Sequence, residues 1–428
     1  MNKTTVVVSC PIDTYSGYGA RARDFVKALL QIDKYDVKVL GQRWGNTPYG
    51  YLKDHNEDKL ASIVLDKLTF TPDIWIQITV PNEFQRVGKY NIGVTAGIET
   101  TICDVSWLQG CNRMDLTLTS SNHSKNVFTN TVYDAKDNRT GADIKIKLEK
   151  PVEVLLEGAD LTKYFTVNKL PDSKIVADLN SIKESFCFLF VGHWLQGDFG
   201  QDRKNVGYTI KSFLETFKNK LNQPALILKT SRGPASLIDQ ERILHQIEDI
   251  KSSVKGSLPS VYLLHGDMSD EEVNLLYNHP KVKAMISFTK GEGFGRPLLE
   301  FSLSGKPIIA SGWSGQLDFL KPENSFLVGG QLTKIHKSAV SKNVILEESS
   351  WFTPDDLEVA KMFKFVYKQY KDAIKRGGAQ RAFSKKYFSF EIMTEKLREI
   401  LDKNVPEFPK QIELKLPDLE LPKLQANG

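Results

Sequence analysis

Short apolar runs alternate with amphipathic helical patterns along the chain, and this alternation predicts an α/β fold. The first series of runs is almost continuously apolar, which is typical of parallel strands covered on both faces. A helix with apolar residues at helical spacing, among them Phe25 and Leu29, follows the first run. The predicted strands of this series span residues 4–10, 37–40, 74–80, 91–96, 116–119 and 152–156.

A second series of strands and helices begins after the polar segment 166–184, which is predicted to be a hinge-like linker between domains. Two successive series of this kind imply two doubly wound domains whose strands end at a common cleft. The predicted strands are 186–191, 225–229, 261–265, 284–288, 308–310 and 326–328, separated by helices at 206–220, 237–252, 270–277 and 297–304.

Two polar stretches interrupt this pattern. Residues 133–150 contain several lysines and are predicted to form an inserted hairpin or mobile loop. Residues 406–428 hold four of the 18 prolines, which excludes a continuous helix there. Aliphatic residues alternate with charges in this tail, so it is expected to dock on its own chain or on a second copy in a homo-oligomer. The predicted segments are therefore 1–170 and 171–385 for the two domains, 386–402 for a terminal helix and 403–428 for the tail.

The composition is that of an ordinary globular chain. Hydrophobic residues make up 41% and charged residues 25%, which excludes a disordered or collagen-like protein. The net charge of +5 permits nucleic-acid binding but does not indicate it. The apolar stretches are too short for a membrane span and no signal peptide is recognisable, so a cytoplasmic location is expected. The four cysteines lack zinc-ligand spacing, which predicts buried free thiols and no metal site.

The segment KGEGFGRPLLE at 290–300 concentrates candidate chemistry. Its glycines at 291, 293 and 295 leave the backbone able to approach a ligand closely. Pro297 suits the first turn of a helix. Unpaired amides at such a helix start, here near Leu298, can form a phosphate site.

Glu292 and Glu300 lie eight residues apart, one in the loop and one in the first turn of the predicted helix. A carboxylate in such a place can bridge two vicinal hydroxyls, as acids do when they recognise ribose. Each glutamate has a purely structural alternative, since Glu300 could favour the helix dipole and Glu292 could be a solvated loop acid. Together with the three glycines and the proline, the pair favours a ligand site.

Gly17 and Gly19 form a short glycine loop after the first predicted strand. The motif is GxG without the third glycine of GxGxxG, because residue 22 is alanine, so it indicates dinucleotide binding only weakly. A dehydrogenase would also place an acid after the second strand, where residues 41–43 are Gly-Gln-Arg. These positions do not match a dehydrogenase.

The stretch EGFGRPLLEFSLSGKPIIAS resembles the donor-domain motif of retaining GT-B glycosyltransferases of family four, in which seven residues separate two glutamates around a Gly-Phe-Gly core. The segments VGHWLQGDFGQDRKNVGYTIKSF, EVLLEGADLTKYF, NIGVTAGIETTICDVSW and CNRMDLTLTSSNHSKNVF are similar to other parts of the same family, so the resemblance covers most of the chain. It implies two Rossmann-like domains that close on the donor, with a terminal helix that crosses back to the first domain.

The resemblance also implies roles for individual residues. Lys204 and Arg203 would hold the donor diphosphate and Glu292 would lie beside the transferred sugar, and these three are the candidate catalytic residues. A lysine or arginine can stabilise the charge of the leaving diphosphate. Glu300 would bind the ribose. Further donor contacts are implied for Gly17, Gly19, His193, Lys229, Gly266, Gly293, Phe294, Gly295, Pro297 and Leu298.

On the acceptor side the resemblance implies a role for Glu99, although the histidine that many family members carry in this region is absent between residues 91 and 101. The implied reaction is transfer of a hexose or pentose from a nucleoside diphosphate sugar, with retention and without a metal or other cofactor. The acceptor would be a glycan, a small molecule or a hydroxylated DNA base, the last exposed by flipping. The alternatives are a nucleotide-sugar epimerase, a phosphorylase or a non-catalytic sugar-nucleotide-binding module.

Overall fold

The computed structural model describes residues 3–137 and 139–409. Its first domain is a seven-stranded parallel sheet in the order β3-β2-β1-β4-β5-β6-β9, with helices on both faces. The predicted polar insertion forms an antiparallel hairpin of β7 and β8. The elements are β1 (Thr4–Cys10), α1 (Gly17–Ile32), β2 (Tyr35–Gly41), α2 (Tyr51–Asp54), α3 (Asp58–Ala61), β3 (Val64–Leu65), β4 (Ile74–Ile78), β5 (Tyr90–Thr95), α4 (Val105–Arg113), β6 (Leu116–Thr119), α5 (Asn122–Asn130), β7 (Tyr133–Lys136), β8 (Asp143–Ile146) and β9 (Val152–Val154).

The second domain is a six-stranded parallel sheet in the order β12-β11-β10-β13-β14-β15. A two-stranded antiparallel hairpin of β16 and β17 follows the sheet, and three helices end the described chain. The elements are α6 (Lys174–Ser181), β10 (Cys187–Val191), α7 (Val206–Phe217), β11 (Ala225–Lys229), α8 (Leu237–Ser252), β12 (Val261–Leu264), α9 (Asp270–Asn278), β13 (Val282–Ser287), α10 (Arg296–Ser302), β14 (Ile308–Ser311), β15 (Phe326–Val328), β16 (Gly330–Lys334), β17 (Ser350–Pro354), α11 (Asp356–Lys368), α12 (Tyr370–Tyr387) and α13 (Phe390–Asn404).

The two predicted series of strands are confirmed, and each sheet buries apolar side chains on both faces. The prediction of a polar linker at 166–184 is wrong. Helix α6 lies within it and buries Ile175, Val176 and Leu179 in the core of the second domain. The spacing of these three residues is helical. The residues around them are polar, so the overall composition of the segment does not indicate a buried helix. The four cysteines are buried and free, as expected.

The chain crosses between the domains at two adjacent segments that pair with each other. The Ala159 amide donates to the Phe388 carbonyl at 2.8 Å, and the Phe390 amide donates to the Ala159 carbonyl at 2.9 Å. A side chain at Gly158 would meet the Ser389 carbonyl at 2.5 Å, so this close approach requires glycine. The two crossings of the chain therefore lie side by side and are hydrogen-bonded to each other.

After the second crossing, α13 packs on α1 and contributes Met393, Leu397, Ile400 and Leu401 to the core of the first domain. The Ser389 hydroxyl accepts a hydrogen bond from the Ile392 amide and caps the helix. The predicted crossover helix is thus confirmed. Of the predicted tail, residues 410–428 lie outside the described residues.

The burial of α13 leads to a testable expectation. Leu397→Ala should lower the free energy of unfolding by about 2–5 kcal/mol, because it removes a fully buried side chain from the first core. Ile392→Ala on the same helix is the matched control. That side chain is 46% exposed, so a change below about 1 kcal/mol is expected. Urea denaturation followed by circular dichroism measures both, and equal losses would contradict the packing of Leu397.

No helix within residues 3–137 and 139–409 combines the length and the apolar character that crossing a membrane would require.

Candidate active site between the two domains

A cleft of about 570 Å³ separates the two domains at the carboxyl ends of their parallel strands. Such crevices are where open α/β sheets bind ligands. Twelve of the fifteen residues singled out from the sequence line this cleft: Gly17, Glu99, His193, Arg203, Lys204, Lys229, Glu292, Gly293, Phe294, Gly295, Pro297 and Glu300.

The remaining three, Gly19, Gly266 and Leu298, do not line the cleft. A side chain at Gly19 would meet the Thr14 carbonyl at 2.3 Å, so this glycine serves the start of α1. The Leu298 amide donates to the Gly295 carbonyl at 3.0 Å and is not free for a phosphate. Gly266 has a φ of +103° and its carbonyl accepts a hydrogen bond from Lys229. Gly266 therefore affects the cleft indirectly, by holding the Lys229 side chain that lines it.

Glu292 forms the centre of a buried ion-pair cluster with two adjacent cations. Its carboxylate oxygens accept hydrogen bonds from Lys204 Nζ at 2.6 and 2.7 Å, and Arg203 lies 3.5 Å away. The Glu292 side chain is only 9% exposed. Burial alone would raise its pKa, but Lys204 and Arg203 hold that pKa below the ordinary value of a glutamate. Glu292 is therefore ionised at neutral pH.

Local backbone contacts hold the two cations in place. Arg203 and Lys204 lie in the turn before α7, which passes through Asn205 at a φ of +57°. The Asn205 side-chain amide donates to the Phe288 carbonyl at 3.0 Å, and the Lys290 amide donates to the Arg203 carbonyl at 2.7 Å. The turn is thus fastened to the loop after β13, which carries Glu292.

The first domain meets this cluster through the loop after β5. Arg203 lies 3.5 Å from the Glu99 carboxylate, so one guanidinium contacts carboxylates of both domains. Added side chains at Gly291 and Gly293 would lie 1.9 Å from the Glu99 carbonyl and 2.4 Å from the Ala96 carbonyl. The prediction that these two glycines serve the approach of a ligand stays a prediction, and the structure gives them a second role. They allow the loops of the two domains to touch.

Gly295 has a different role from the other two glycines. Its φ of +100° is strained for any other residue. The amides of Gly293, Phe294 and Gly295 donate to no protein acceptor in the described part of the chain. Consecutive free amides at the wall of a cleft can bind an anion.

Glu300 is the second buried carboxylate of the cleft. Arg296 Nε donates to its Oε1 at 2.7 Å. Burial raises the pKa of Glu300 to about 7, although Arg296 acts in the opposite direction. Arg296 was not singled out from the sequence as a site residue, because its partners in the first domain, Asp24 and Glu157, are far away in sequence.

The wall next to the second sheet contains two further polar groups. His193 Nδ1 lies 3.1 Å from the Ser231 hydroxyl. Thr230 lines the cleft at the end of β11, and its buried hydroxyl has no hydrogen-bond partner among the described residues. Thr230 was not singled out from the sequence, where a lone threonine after a strand carries no signal.

Aromatic rings form much of the opposite wall. Tyr18 and Trp44 stack with their centroids 3.9 Å apart, and the Arg23 guanidinium lies 3.4 Å from the centroid of the Tyr51 ring. The Tyr18 hydroxyl pairs with Thr95 at 3.0 Å, which fixes the ring at the end of β5. Sequence reasoning missed these aromatics, because they come from loops that only the fold brings together.

Charges of the two signs balance along the cleft. Eight lysines and arginines face eight aspartates and glutamates; the cations are Arg21, Arg23, Lys27, Lys163, Arg203, Lys204, Lys229 and Arg296, and the anions are Asp24, Glu57, Glu99, Glu157, Asp267, Asp270, Glu292 and Glu300. Within residues 3–137 and 139–409, no group of three or more His, Cys, Asp or Glu side chains is arranged to hold a metal ion.

No protein-family model matches the chain, and no curated protein matches it in sequence. Solved structures match it in fold. Sucrose-phosphate synthase from Thermosynechococcus elongatus has a TM-score of 0.60 at 12% identity, over 94% of this chain and 99% of that chain. A glycosyltransferase from Rickettsia africae has a TM-score of 0.61 at 14% identity, over 94% and 99% of the two chains.

HepE from Anabaena, solved in complex with UDP, has a TM-score of 0.60 at 14% identity, over 94% of this chain and all of that chain. At such identities the likeness concerns the fold. Together with the two facing parallel sheets and the crossover helix, it shows that the protein has the GT-B fold.

Proposed function

We propose that this protein transfers a sugar from a nucleoside diphosphate sugar to an acceptor hydroxyl, with retention of the anomeric configuration. The observation that carries the proposal is the pairing of Arg203 and Lys204 with Glu292 inside the interdomain cleft. Adjacent cations in a cleft shielded from water can stabilise a leaving diphosphate strongly. HepE, which shares the fold, has been solved with UDP and with UDP-glucose.

The diphosphate would lie between the two cations and the free amides of Gly293, Phe294 and Gly295. In this arrangement Lys204 exchanges part of its contact with Glu292 for a contact with phosphate oxygens. These groups supply the positive charge that the leaving group needs, so we propose that the reaction requires no metal or other cofactor.

In the proposed reaction, the bond between the anomeric carbon and the β-phosphate oxygen breaks while the acceptor oxygen attacks from the same face. The acceptor proton passes to the departing phosphate oxygen, so atoms and charges balance without a protein nucleophile. Both oxygens of Glu292 accept hydrogen bonds from Lys204, which favours a role in orienting the sugar and the cations over attack on carbon.

Glu300 would bind the ribose hydroxyls, and Lys229, Thr230 and His193 would surround the rest of the nucleotide. All four line the cleft and belong to the second domain, as Lys204 does. In this proposal the transferred sugar lies beside Glu292 and the nucleoside lies beside the end of β11.

The balanced charge and the aromatic wall favour an uncharged acceptor. A glycan or a small hydroxylated molecule can stack an apolar face on Tyr18 and Trp44. A DNA acceptor would need an excess of lysine and arginine over acidic residues to neutralise its phosphates. The numbers of basic and acidic residues that line the cleft are equal, so this excess is absent. Glu99 lines the same cleft and lies 3.5 Å from Arg203, so we propose that it orients the acceptor hydroxyl.

A screen of UDP-, GDP- and ADP-sugars by calorimetry tests this proposal. At least one donor is expected to bind and to be slowly hydrolysed without an acceptor, and EDTA should leave the rate unchanged. Proton NMR of the products from a set of uncharged acceptors then reports the anomeric configuration. Absence of binding for all donors would contradict the proposal, and conversion of the donor into an isomeric nucleotide sugar would identify an epimerase instead.

Glu300→Ala should weaken donor binding by about 2 kcal/mol, because the ribose hydroxyls lose a charged partner. Arg296 keeps carboxylate partners in the first domain, so the variant should fold. Glu241→Ala on the exposed face of α8 is the matched control and should bind the donor like the wild type. Unchanged donor affinity in a folded Glu300→Ala variant would remove Glu300 from the site.

A further inference from the structure

Arg296 is the first residue of α10, yet its side chain reaches the other domain. It follows Gly295 directly and is only 22% exposed. Its Nε donates to Glu300 within the second domain at 2.7 Å. Its Nη1 donates to Asp24 of α1 at 2.5 Å and lies 3.5 Å from Glu157, which follows β9.

One guanidinium therefore joins the carboxylate proposed for the donor ribose to two carboxylates of the opposite domain. The planar fork of an arginine presents donors along separate edges, so Nε can hold Glu300 while Nη1 holds Asp24. A lysine at this position has a single ammonium and cannot reproduce both contacts with the same geometry. The contact with Asp24 requires the domains to be close together.

We propose that Arg296 is a positioning residue that aims Glu300 at the donor ribose and couples this contact to closure of the two domains. The inference rests on the proposed function, since it assigns Glu300 to the ribose. It adds a charged link between Glu300 and the first domain, separate from the loop contacts at Gly291 and Gly293.

Both acidic and basic neighbours influence the charge state of Glu300. The titratable and charged groups around it and around Arg296 come from α1, the segment after β9, α9 and α10: Arg21 and Asp24; Glu157, Lys163 and Tyr164; Asp270 and Tyr277; and Arg296 itself. Lys163 is paired with Asp270 at 2.6 Å, whereas Arg296 contacts Glu300 directly.

This arrangement sets the expected pH dependence of donor binding. Burial raises the pKa of Glu300 to about 7, and its charged form, the better acceptor for hydroxyls, is present above that pKa. Donor affinity should therefore rise with pH through neutrality. Arg296 lowers the pKa of Glu300, so its removal should move this rise to higher pH.

The test uses whichever of UDP, GDP and ADP binds the full chain most tightly. Calorimetry between pH 6 and pH 9 gives the affinity profile, and small-angle scattering gives compaction on binding. Arg296→Met should raise the midpoint by about one pH unit, weaken binding at pH 7 by about fivefold and reduce compaction. Arg296→Lys should restore much of the midpoint but little of the compaction. Asp24→Asn should leave the midpoint at or below that of the wild type and reduce compaction.

Thermal unfolding identifies variants that have lost their fold, and Arg296→Lys keeps the test available if Arg296→Met unfolds. A wild-type midpoint and full compaction in folded Arg296→Met would overturn the role of Arg296 while leaving the proposed function intact. A wild-type chain that binds none of the nucleotides or their sugars would overturn the proposed function itself.

Discussion

Lys204→Ala is expected to lower turnover by about a hundredfold or more, with a smaller change in KM for the donor. Lys204 donates to both oxygens of Glu292 in the buried cluster, and in the proposed reaction it meets the charge that develops on the leaving diphosphate. Preorganised groups of this kind act mainly on the transition state, where removal of one costs about a hundredfold to a thousandfold. Initial rates with the donor and acceptor found by screening measure the effect.

Lys211→Ala is the matched control, because Lys211 lies on the exposed face of α7, a short distance along the chain from Lys204. It should leave the rate unchanged. A Lys204→Ala rate within a few-fold of the wild type would assign the stabilisation of the leaving group to Arg203 or His193. Because the substitution leaves Glu292 with Arg203 at 3.5 Å as its cation, the melting temperature should be compared in parallel.

Gly291→Ala should reduce turnover by an amount on the order of a hundredfold through geometry alone. Its new methyl group would lie 1.9 Å from the Glu99 carbonyl, a backbone atom that cannot rotate away. The two loops must separate, which lengthens the contact of Arg203 with Glu99 and misplaces the acceptor side relative to the donor. A displacement of about 1 Å between reacting groups can cost this much in rate.

Gly378→Ala is the control for the effect of an added methyl group. Gly378 lies in α12 with no atom within 4 Å of the added carbon, so alanine should stabilise the helix by up to about 1 kcal/mol and leave turnover unchanged. Scattering should show Gly291→Ala to be more extended than the wild type when the donor is bound. Normal turnover of Gly291→Ala would mean that the loops separate without cost to the reaction.

Much of the fold could be predicted from the sequence because its signals are local. The strands Thr4–Cys10 and Ala225–Lys229 each contain an uninterrupted apolar core of three or four residues, and their observed bounds match the predicted ones. The hairpin of β16 and β17 was missed, because its first strand is polar and largely exposed. Helix α6 was missed for a related reason, since three apolar residues within a polar segment do not change its composition visibly.

The candidate site likewise contains residues that could be singled out from the sequence and contacts that could not. The glutamates and cations of the cleft could be singled out because each lies in a short motif with a recognisable chemical purpose. The partners of Arg296 could not, because Asp24 and Glu157 belong to the other domain and only the folded chain brings them within reach. The contacts of Gly291 and Gly293 with the first domain are equally invisible without the fold.

The packing of α13 against α1 also affects how the protein is made. The sheet of the first domain is complete when β9 has been synthesised, but the helix that fills its core is translated only after the whole second domain. At typical rates of synthesis this delay is roughly 10 to 50 seconds. Until α13 has been synthesised, the apolar side chains of the first core that it covers lack this partner, so we expect the first domain to complete its folding only after the second domain has emerged.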